Sequence, residues 1–428
     1  MTNEKLKQCS ICHQDLEGTV FIKGPDEKVA ICEDCVQTAY EILGLGPVQY
    51  NEVNESDYEA LLDSENFIRP SVIRDYLNDF VIGQEEAKRV LAVAIYNHLK
   101  RMAHNKNNDG DQPEIEKSNV LMVGPTGSGK TYLLRKVAEL IDIPMIVADA
   151  SSMTAAGYVG SDPEVMLRQL LQAADGDLER AQRGIIYIDE IDKLGRKSES
   201  ASITRDVSGE SVQQQILKIL EGTKSQVPLD ANRLHPGGNN VEMDTSNILF
   251  VVGGSFEGIE EIIKKRLGEE GRRIGFDDVS PEEQQKKDFN HYILEVEAED
   301  LRKFGMIPEL LGRLPVVVPL QELDVDALER ILTEPKNALL KQYSALLSYD
   351  GADIEFSEEA VHAIAEIAYK KKTGARSLRS VIEKVLLPHM FNLPDEEENV
   401  TFYFDEASIR EGKAPKRIVK DTIVNETK

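Results

Sequence analysis

Residues Gly124-Pro125-Thr126-Gly127-Ser128-Gly129-Lys130-Thr131 fit the pattern G-x-x-x-x-G-K-[ST] at every fixed position. A loop of this kind aims backbone N–H groups at phosphate oxygens from the start of a helix. Its glycines let the chain turn tightly and come within hydrogen-bond reach of those oxygens. Lys130 is placed to reach the β- and γ-phosphates, and the Thr131 hydroxyl to ligate Mg²⁺. By itself the loop implies ATP or GTP with Mg²⁺. Farther on, Asp189-Glu190 closes the apolar run Ile185-Ile186-Tyr187-Ile188. A carboxylate at the end of a neighbouring strand can hold the nucleotide's Mg²⁺. A second carboxylate beside it can polarise an attacking water. The pair therefore predicts hydrolysis, with Asp189 on the metal and Glu190 acting on the water.

A second chemistry sits at the front of the chain. All four cysteines, Cys9, Cys12, Cys32 and Cys35, form C-x₂-C-x₁₉-C-x₂-C. Two such pairs can supply four thiolates to a tetrahedral Zn²⁺, and in a reducing compartment this is a better use than two disulfides. A redox pair or scattered buried thiols are the alternatives. Four protein ligands leave no open position, so the expected zinc site is structural, and so short a module needs its metal to fold. His13, next to Cys12, is expected to be a bystander.

The elements that must position these groups can be read from the apolar pattern. Asn119–Val123 is a short buried strand leading into the phosphate loop, and Thr131–Ile141 carries Leu133, Leu134, Val137, Ala138 and Ile141 at helical spacing. Further strands are expected at 145–148, 184–190, 247–252 and 316–318, with helices at 84–103 and 163–173. Alternating strands and helices predict an α/β fold with a parallel sheet covered on both faces. From Asp324 onward the pattern is mostly helical (326–347, 357–371 and 375–386), with a short strand at 400–404. The expected division is a zinc module at 1–46, an acidic linker at 47–66, a nucleotide-binding domain at 67–319, a small helical domain at 320–411 and a charged tail at 412–428.

Composition sets outer limits. At 428 residues, 41% hydrophobic and 29% charged, the chain suits several globular domains. No apolar run approaches the roughly 20 residues of a membrane span. The polar start, Met1–Gln8, has no signal-peptide core, so a cytoplasmic location is expected. The net charge of -26 argues against broad binding to nucleic acid or anionic membrane.

Taken together, the cysteine module, the phosphate loop and Asp189-Glu190-Ile191-Asp192 make the chain resemble the ClpX family of AAA+ unfoldases. The segments Phe80-Val81-Ile82-Gly83-Gln84, Gly157-Tyr158-Val159-Gly160, Arg205–Glu210, Phe304–Arg313 and Gly374-Ala375-Arg376 also match. The resemblance implies a treble-clef-like zinc module, a large α/β P-loop domain and a smaller, mostly helical C-terminal domain. It implies that Val81 and Ile82 pack on the adenine. Arg313 is implied as an arginine finger reaching ATP on the neighbouring subunit, and Arg376 as a sensor-2 arginine reaching ATP in its own. A guanidinium suits both tasks, since it bonds phosphate bidentately and keeps its charge.

A finger acting in trans implies a ring, expected as a homohexamer, with zinc modules able to dimerise. Tyr158 and Val159, an aromatic-aliphatic pair between glycines, would grip polypeptide in the pore without reading its sequence. Arg205 and Asp206 fall in the segment resembling the second pore loop. Arg233 and His235 flank Leu234 where the family carries a lysine. Ile274-Gly275-Phe276, an apolar island in a charged stretch, resembles the tripeptide that docks on the ClpP peptidase. Gly253-Gly254-Ser255 stands where many AAA+ proteins place a polar sensor-1 residue, so no residue is assigned that role. The expected activity is ATP-dependent unfolding of protein substrates, brought by adaptors and delivered to ClpP. No protease signature such as H-E-x-x-H or G-x-S-x-G is present. A nucleic-acid motor is the rival class, opposed by the acidity and the Tyr158 loop. The related HslUV ATPase is another, opposed by the four cysteines.

Overall fold

The computed structural model describes residues 9–12, 21–23, 30–32, 35, 68–106, 112–153, 164–195, 207–228, 240–269, 289–395 and 400–419. The stretch expected as an acidic linker, 47–66, lies outside them. The chain divides into two compact units, Met1–Asp63 and Ser64–Lys428. In the first, β1 (Phe21–Lys23) pairs antiparallel with β2 (Ala30–Cys32), placing Phe21 opposite Cys32. Cys9, Ala30 and Cys32 are buried together.

The second unit opens with helix Pro70–Asn78, whose proline occupies the first turn, where a missing N–H costs nothing. Helix Glu85–Lys106 follows. Strands β3 (Val120–Val123), β4 (Met145–Asp149) and β5 (Ile185–Asp189) come next in the chain. A hairpin of β6 (Lys224–Pro228) and β7 (Asn240–Asp244) then precedes β8 (Leu249–Gly254) and β9 (Val316–Pro319). The main sheet has the order β4-β5-β8-β3-β9, and all four of its pairings are parallel. β3 and β8 are buried throughout, as strands covered on both faces must be. Helices Lys130–Leu140 and Glu164–Ala173 cover it, and Leu133, Leu134, Val137 and Leu167 are fully buried. The order puts β5 and β3 on either side of β8. The ends of β3 and β5, which carry the phosphate loop and Asp189, thus open at one edge of the sheet.

A separate hydrophobic cluster forms beyond β9, from Leu328, Leu332, Ile364, Leu378, Ile382 and Phe404 among others. Its helices are Val325–Thr333, Leu339–Ser348, Glu358–Lys370 and Arg376–Asn392. The pattern predicts one helix over 326–347, whereas the structure has two. Pro335 has no N–H with which to continue the ladder, which ends with Glu334 N–H on the Arg330 carbonyl. The break is used: Lys336 donates its backbone N–H to the Asp79 carbonyl at 2.9 Å, and Asn337 donates to the Tyr132 hydroxyl at 2.6 Å. A small sheet completes this part. β10 (Ala352–Phe356) lies parallel to β11 (Val400–Phe404), and β12 (Lys416–Val419) lies antiparallel to β11. β12 falls within the stretch expected as a charged tail; its exposed Lys416 and Arg417 suit an edge strand.

Candidate nucleotide-hydrolysis site

The phosphate loop emerges from β3 and ends at helix Lys130–Leu140. Gly127 (φ 78°) and Gly129 (φ 104°) occupy backbone conformations that other residues enter at a cost. Leu133 N–H donates to the Gly129 carbonyl at 2.9 Å, starting the helical ladder. Lys130, 8% exposed, folds back on the loop and donates to the carbonyls of Gly124 (2.6 Å) and Pro125 (3.0 Å). Burial depresses its ammonium to about 8; Asp189 and Asp192 oppose the shift and the Arg376 guanidinium adds to it. Ser128 Oγ is buried without a protein partner, an orphan that a phosphate oxygen would satisfy. Orphan donor, helix start and buried ammonium together fit a triphosphate.

β5 delivers the carboxylates. Oδ2 of Asp189 lies 3.5 Å from the Thr131 hydroxyl, so two hard oxygen ligands of the kind Mg²⁺ prefers face each other. Oδ1 accepts from Tyr187 Oη at 3.0 Å and from the Glu190 N–H at 2.9 Å. Glu190 adopts φ 59°, uncommon for a residue with a side chain, and its exposed carboxylate lines the cavity. Asp192 is 1% exposed; its two oxygens accept from Ser255 N–H (3.1 Å) and Ser255 Oγ (2.9 Å).

These groups open on a cavity of 340 Å³. Thr126 to Thr131, Asp189 and Glu190 form one wall, and Val81 and Ile82 supply an apolar surface. Leu323, Ile331, Ala375 and Arg376 enter from the C-terminal cluster, so two hydrophobic cores share one cavity. Gly124 and Pro125 sit behind the lining. A Cβ on Gly124 would come within 2.6 Å of the Leu320 carbonyl oxygen, so only glycine lets the outgoing chain pass there. The cores also touch directly, through the Ala375 N–H donating to the Gly127 carbonyl at 3.2 Å.

Gln84 fastens this contact. Its side chain donates to the carbonyl of Gln321 at 2.9 Å and accepts from the Gln321 N–H at 2.9 Å. It also approaches the Ser128 carbonyl at 3.4 Å. Gln84 is 5% exposed with φ 59°, a strained backbone held in place by its surroundings. The sequence pattern places Gln84 at the start of the helix expected at 84–103, just after Val81-Ile82-Gly83. A buried amide at that point gave no periodic signal.

Arg313 does not line this cavity. It follows the short helix Pro308–Gly312, is 51% exposed, and pairs with Glu221 at 3.0 Å. Tyr158, Val159, Arg205, Asp206, Arg233, His235, Ile274, Gly275 and Phe276 lie outside the described residues.

In the N-terminal unit the four cysteine sulfurs lie within 4.8 Å of one another, with Cys12 and Cys32 Sγ 3.6 Å apart. Four thiolates around a zinc ion at about 2.3 Å require edges of this size. Ile11 and Cys32 N–H groups each point at Cys9 Sγ at 3.4 Å. Backbone hydrogen bonds, those of Cys12 and Cys32 foremost, pull the Cys9 thiol down to about 6, while burial and neighbouring sulfurs push Cys35 up to about 12. Such crowding of thiols in one small cluster is compatible with zinc binding.

Residues 115–317 match the family model described as the AAA domain of the Cdc48 subfamily. Residues 323–400 match the C-terminal D2-small domain of ClpB protein. Residues 115–400 form an AAA+ ATPase of the Clp/Hsp100 type. The two matches meet near residue 320, where the main sheet gives way to the second hydrophobic cluster, so each family model covers one wall of the shared cavity. No described helix of this AAA+ ATPase is long and apolar enough to cross a membrane.

Proposed function

We propose that this AAA+ ATPase is the subunit of a homohexameric unfoldase of the ClpX type, which pulls proteins through an axial pore and passes them to the ClpP peptidase. The observation that carries the reading is the shared cavity. Arg376, from the C-terminal core, lines the same space as Lys130, Asp189 and Glu190, so a triphosphate held there contacts both cores. Hydrolysis then changes what Arg376 can bind, and the arrangement of the cores becomes linked to the nucleotide.

In this reading Lys130, Ser128 and the loop N–H groups hold the triphosphate, while Thr131 and Asp189 ligate Mg²⁺. Glu190 polarises water, and Val81 and Ile82 take the adenine. Arg313, exposed and away from its own subunit's cavity, suits a finger offered to a neighbour. Tyr158 and Val159 grip substrate, with Arg205, Asp206, Arg233 and His235 on the other pore loops. Ile274-Gly275-Phe276 docks the peptidase, and the zinc module takes substrates and adaptors. The chain acts in the cytoplasm.

The test is degradation of a tagged fluorescent protein by the purified chain with ATP, with and without ClpP. Loss of fluorescence without proteolysis in the absence of ClpP, and proteolysis in its presence, are expected. ATP turnover with no effect on the substrate in either case refutes the proposal.

A further inference from the structure

We infer that Tyr187 is a positioning residue for the Mg²⁺ site, its buried hydroxyl fixing the Asp189 carboxylate so that one oxygen faces Thr131. Tyr187 and Asp189 stand two residues apart on β5 and therefore point to the same face of the strand. The tyrosine is fully buried, and its hydroxyl donates to Oδ1 of Asp189 at 3.0 Å. The Glu190 N–H reaches the same oxygen at 2.9 Å. With two donors on Oδ1, the carboxylate cannot rotate freely, and Oδ2 is left turned toward the Thr131 hydroxyl.

The neighbouring strand β8 is built around this hydroxyl. A Cβ on Gly253 would lie 2.2 Å from Tyr187 Oη and 2.8 Å from two of its ring carbons. Any other residue at 253 would push the phenol off Asp189. This accounts for Gly253, while a Cβ on Gly254 would instead meet Asp192 Oδ1 and the Phe256 ring, each at 2.7 Å, so this end of β8 offers no polar side chain to the site. The polar group is supplied from β5 instead. Burial, together with the Asp189 charge, raises the phenol's pKa, so it stays a neutral donor throughout the neutral range. A tyrosine that merely filled the core would have no bearing on the metal.

The inference rests on Asp189 being a ligand of the nucleotide's Mg²⁺, and the experiment separates the two. Binding of a fluorescent ATP analogue and ATP hydrolysis are titrated with Mg²⁺ for the full chain, Tyr187→Phe and Asp189→Asn. Loss of a group that orients a metal ligand costs about 10- to 100-fold in metal affinity, so Tyr187→Phe should raise the half-saturating Mg²⁺ by that factor. Its analogue affinity in EDTA should stay within about twofold of wild type, since the phosphate loop is untouched. Gly253→Ala should give the same Mg²⁺ shift, and adding it to Tyr187→Phe should bring little more. If Asp189→Asn changes the Mg²⁺ requirement and Tyr187→Phe does not, the role of Tyr187 is overturned while the metal assignment stands. If neither changes it, the metal assignment itself fails.

Discussion

Replacing Gln84 with glutamate isolates the fastening between the phosphate loop and the chain that leaves the main sheet. The two side chains have the same size, and the φ of 59° is equally strained for both, so backbone cost cancels. What changes is hydrogen bonding. The amide donates to the Gln321 carbonyl at 2.9 Å and approaches Ser128 O at 3.4 Å, while accepting from the Gln321 N–H. A carboxylate keeps the acceptor and loses both donor contacts, of which only the shorter has full hydrogen-bond geometry. Leaving one buried carbonyl unsatisfied costs about 1–3 kcal/mol, or roughly a 5- to 150-fold weakening of the fastened state.

Burial and two facing carbonyls disfavour the charged form, so the introduced carboxyl titrates above a free glutamate's value of about 4.3. When protonated it regains a donor. Its folded pKa is raised, so the defect is small at low pH and grows as pH rises through that pKa. Hydrogen exchange of the amides at 320–323 is the assay, since the Gln321 N–H sits in the fastening itself. Faster exchange by a similar factor at pH 8, with a smaller difference at pH 5.5 after correction for intrinsic rates, is expected. Unchanged protection at both pH values would refute the role given to Gln84.

Glu190→Gln should bind ATP with near wild-type affinity and hydrolyse it about 10²- to 10⁴-fold more slowly; wild-type turnover would remove Glu190 from catalysis. Lys130, depressed to about 8 in the free site, should be fully protonated against phosphate. Nucleotide binding at pH 8 should then take up about half a proton, falling toward zero near pH 6.5, as calorimetry in buffers of different ionisation enthalpy would show. Proton release at pH 8 would contradict it. Gly374, at φ 56° with its missing Cβ 2.6 Å from the Gly127 carbonyl oxygen, should not tolerate alanine. Gly374→Ala is expected to lower ATPase activity at least about tenfold through the contact between the cores, and normal turnover would show that the contact is dispensable. Chelation of zinc, or Cys12→Ser, should open the N-terminal unit to proteolysis while ATP hydrolysis persists; an equally resistant unit would mean the four sulfurs hold no metal.

How much of this could be read in the sequence depended on whether a residue's role was local. The phosphate loop, β5 with its terminal carboxylates and the four cysteines are contiguous patterns, and the structure assembles the fold they imply. β10, β12 and the β6–β7 hairpin were missed. β10 (Ala-Asp-Ile-Glu-Phe) alternates apolar and polar residues but is only one short run among helical patterns, and β12 sets two apolar residues behind Lys416 and Arg417, so neither stands out from its surroundings. The Pro335 break was overlooked because Leu328, Leu332, Leu339 and Leu340 continue the apolar pattern on both sides of it. Asp192 reads in the sequence as one more acidic residue of Asp189-Glu190-Ile191-Asp192, whereas in the fold it is a buried carboxylate held by Ser255. Tyr187 looked like one more apolar strand residue, and its second function became visible only with Asp189 and Gly253 around it. Gln84 acts 237 residues away in sequence, a distance no local pattern spans.

The strained residues of the site point to the same economy of design. Gln84, Glu190 and Phe256 are non-glycine residues in the left-handed region. Gln84 grips Gln321, Glu190 turns its N–H onto Asp189, and Phe256 is buried beside Gly254, whose Cβ would strike its ring. Each follows or faces a strand end at which a cavity group is presented. Such conformations cost on the order of 1–3 kcal/mol each and persist only when the surrounding packing dictates them. Packing of that kind holds the Asp189 and Glu190 backbone in place beside the phosphate loop. The contact with the second core is different: besides the anchors of Lys336 on Asp79 and Asn337 on Tyr132, it rests at the cavity on a hydrogen bond between Ala375 and Gly127, glycine clearances and the Arg376 side chain. A nucleotide can shift the arrangement of the two cores only by the difference in its contacts between states. Arg376 is the charged residue of the second core that lines the cavity among the described residues, so that difference must be expressed mainly through its guanidinium. Arg376→Lys, which keeps the charge but loses the bidentate geometry, should therefore weaken the link between hydrolysis and movement more than it weakens nucleotide binding. A loss of binding as large as the loss of coupled activity would place the coupling elsewhere.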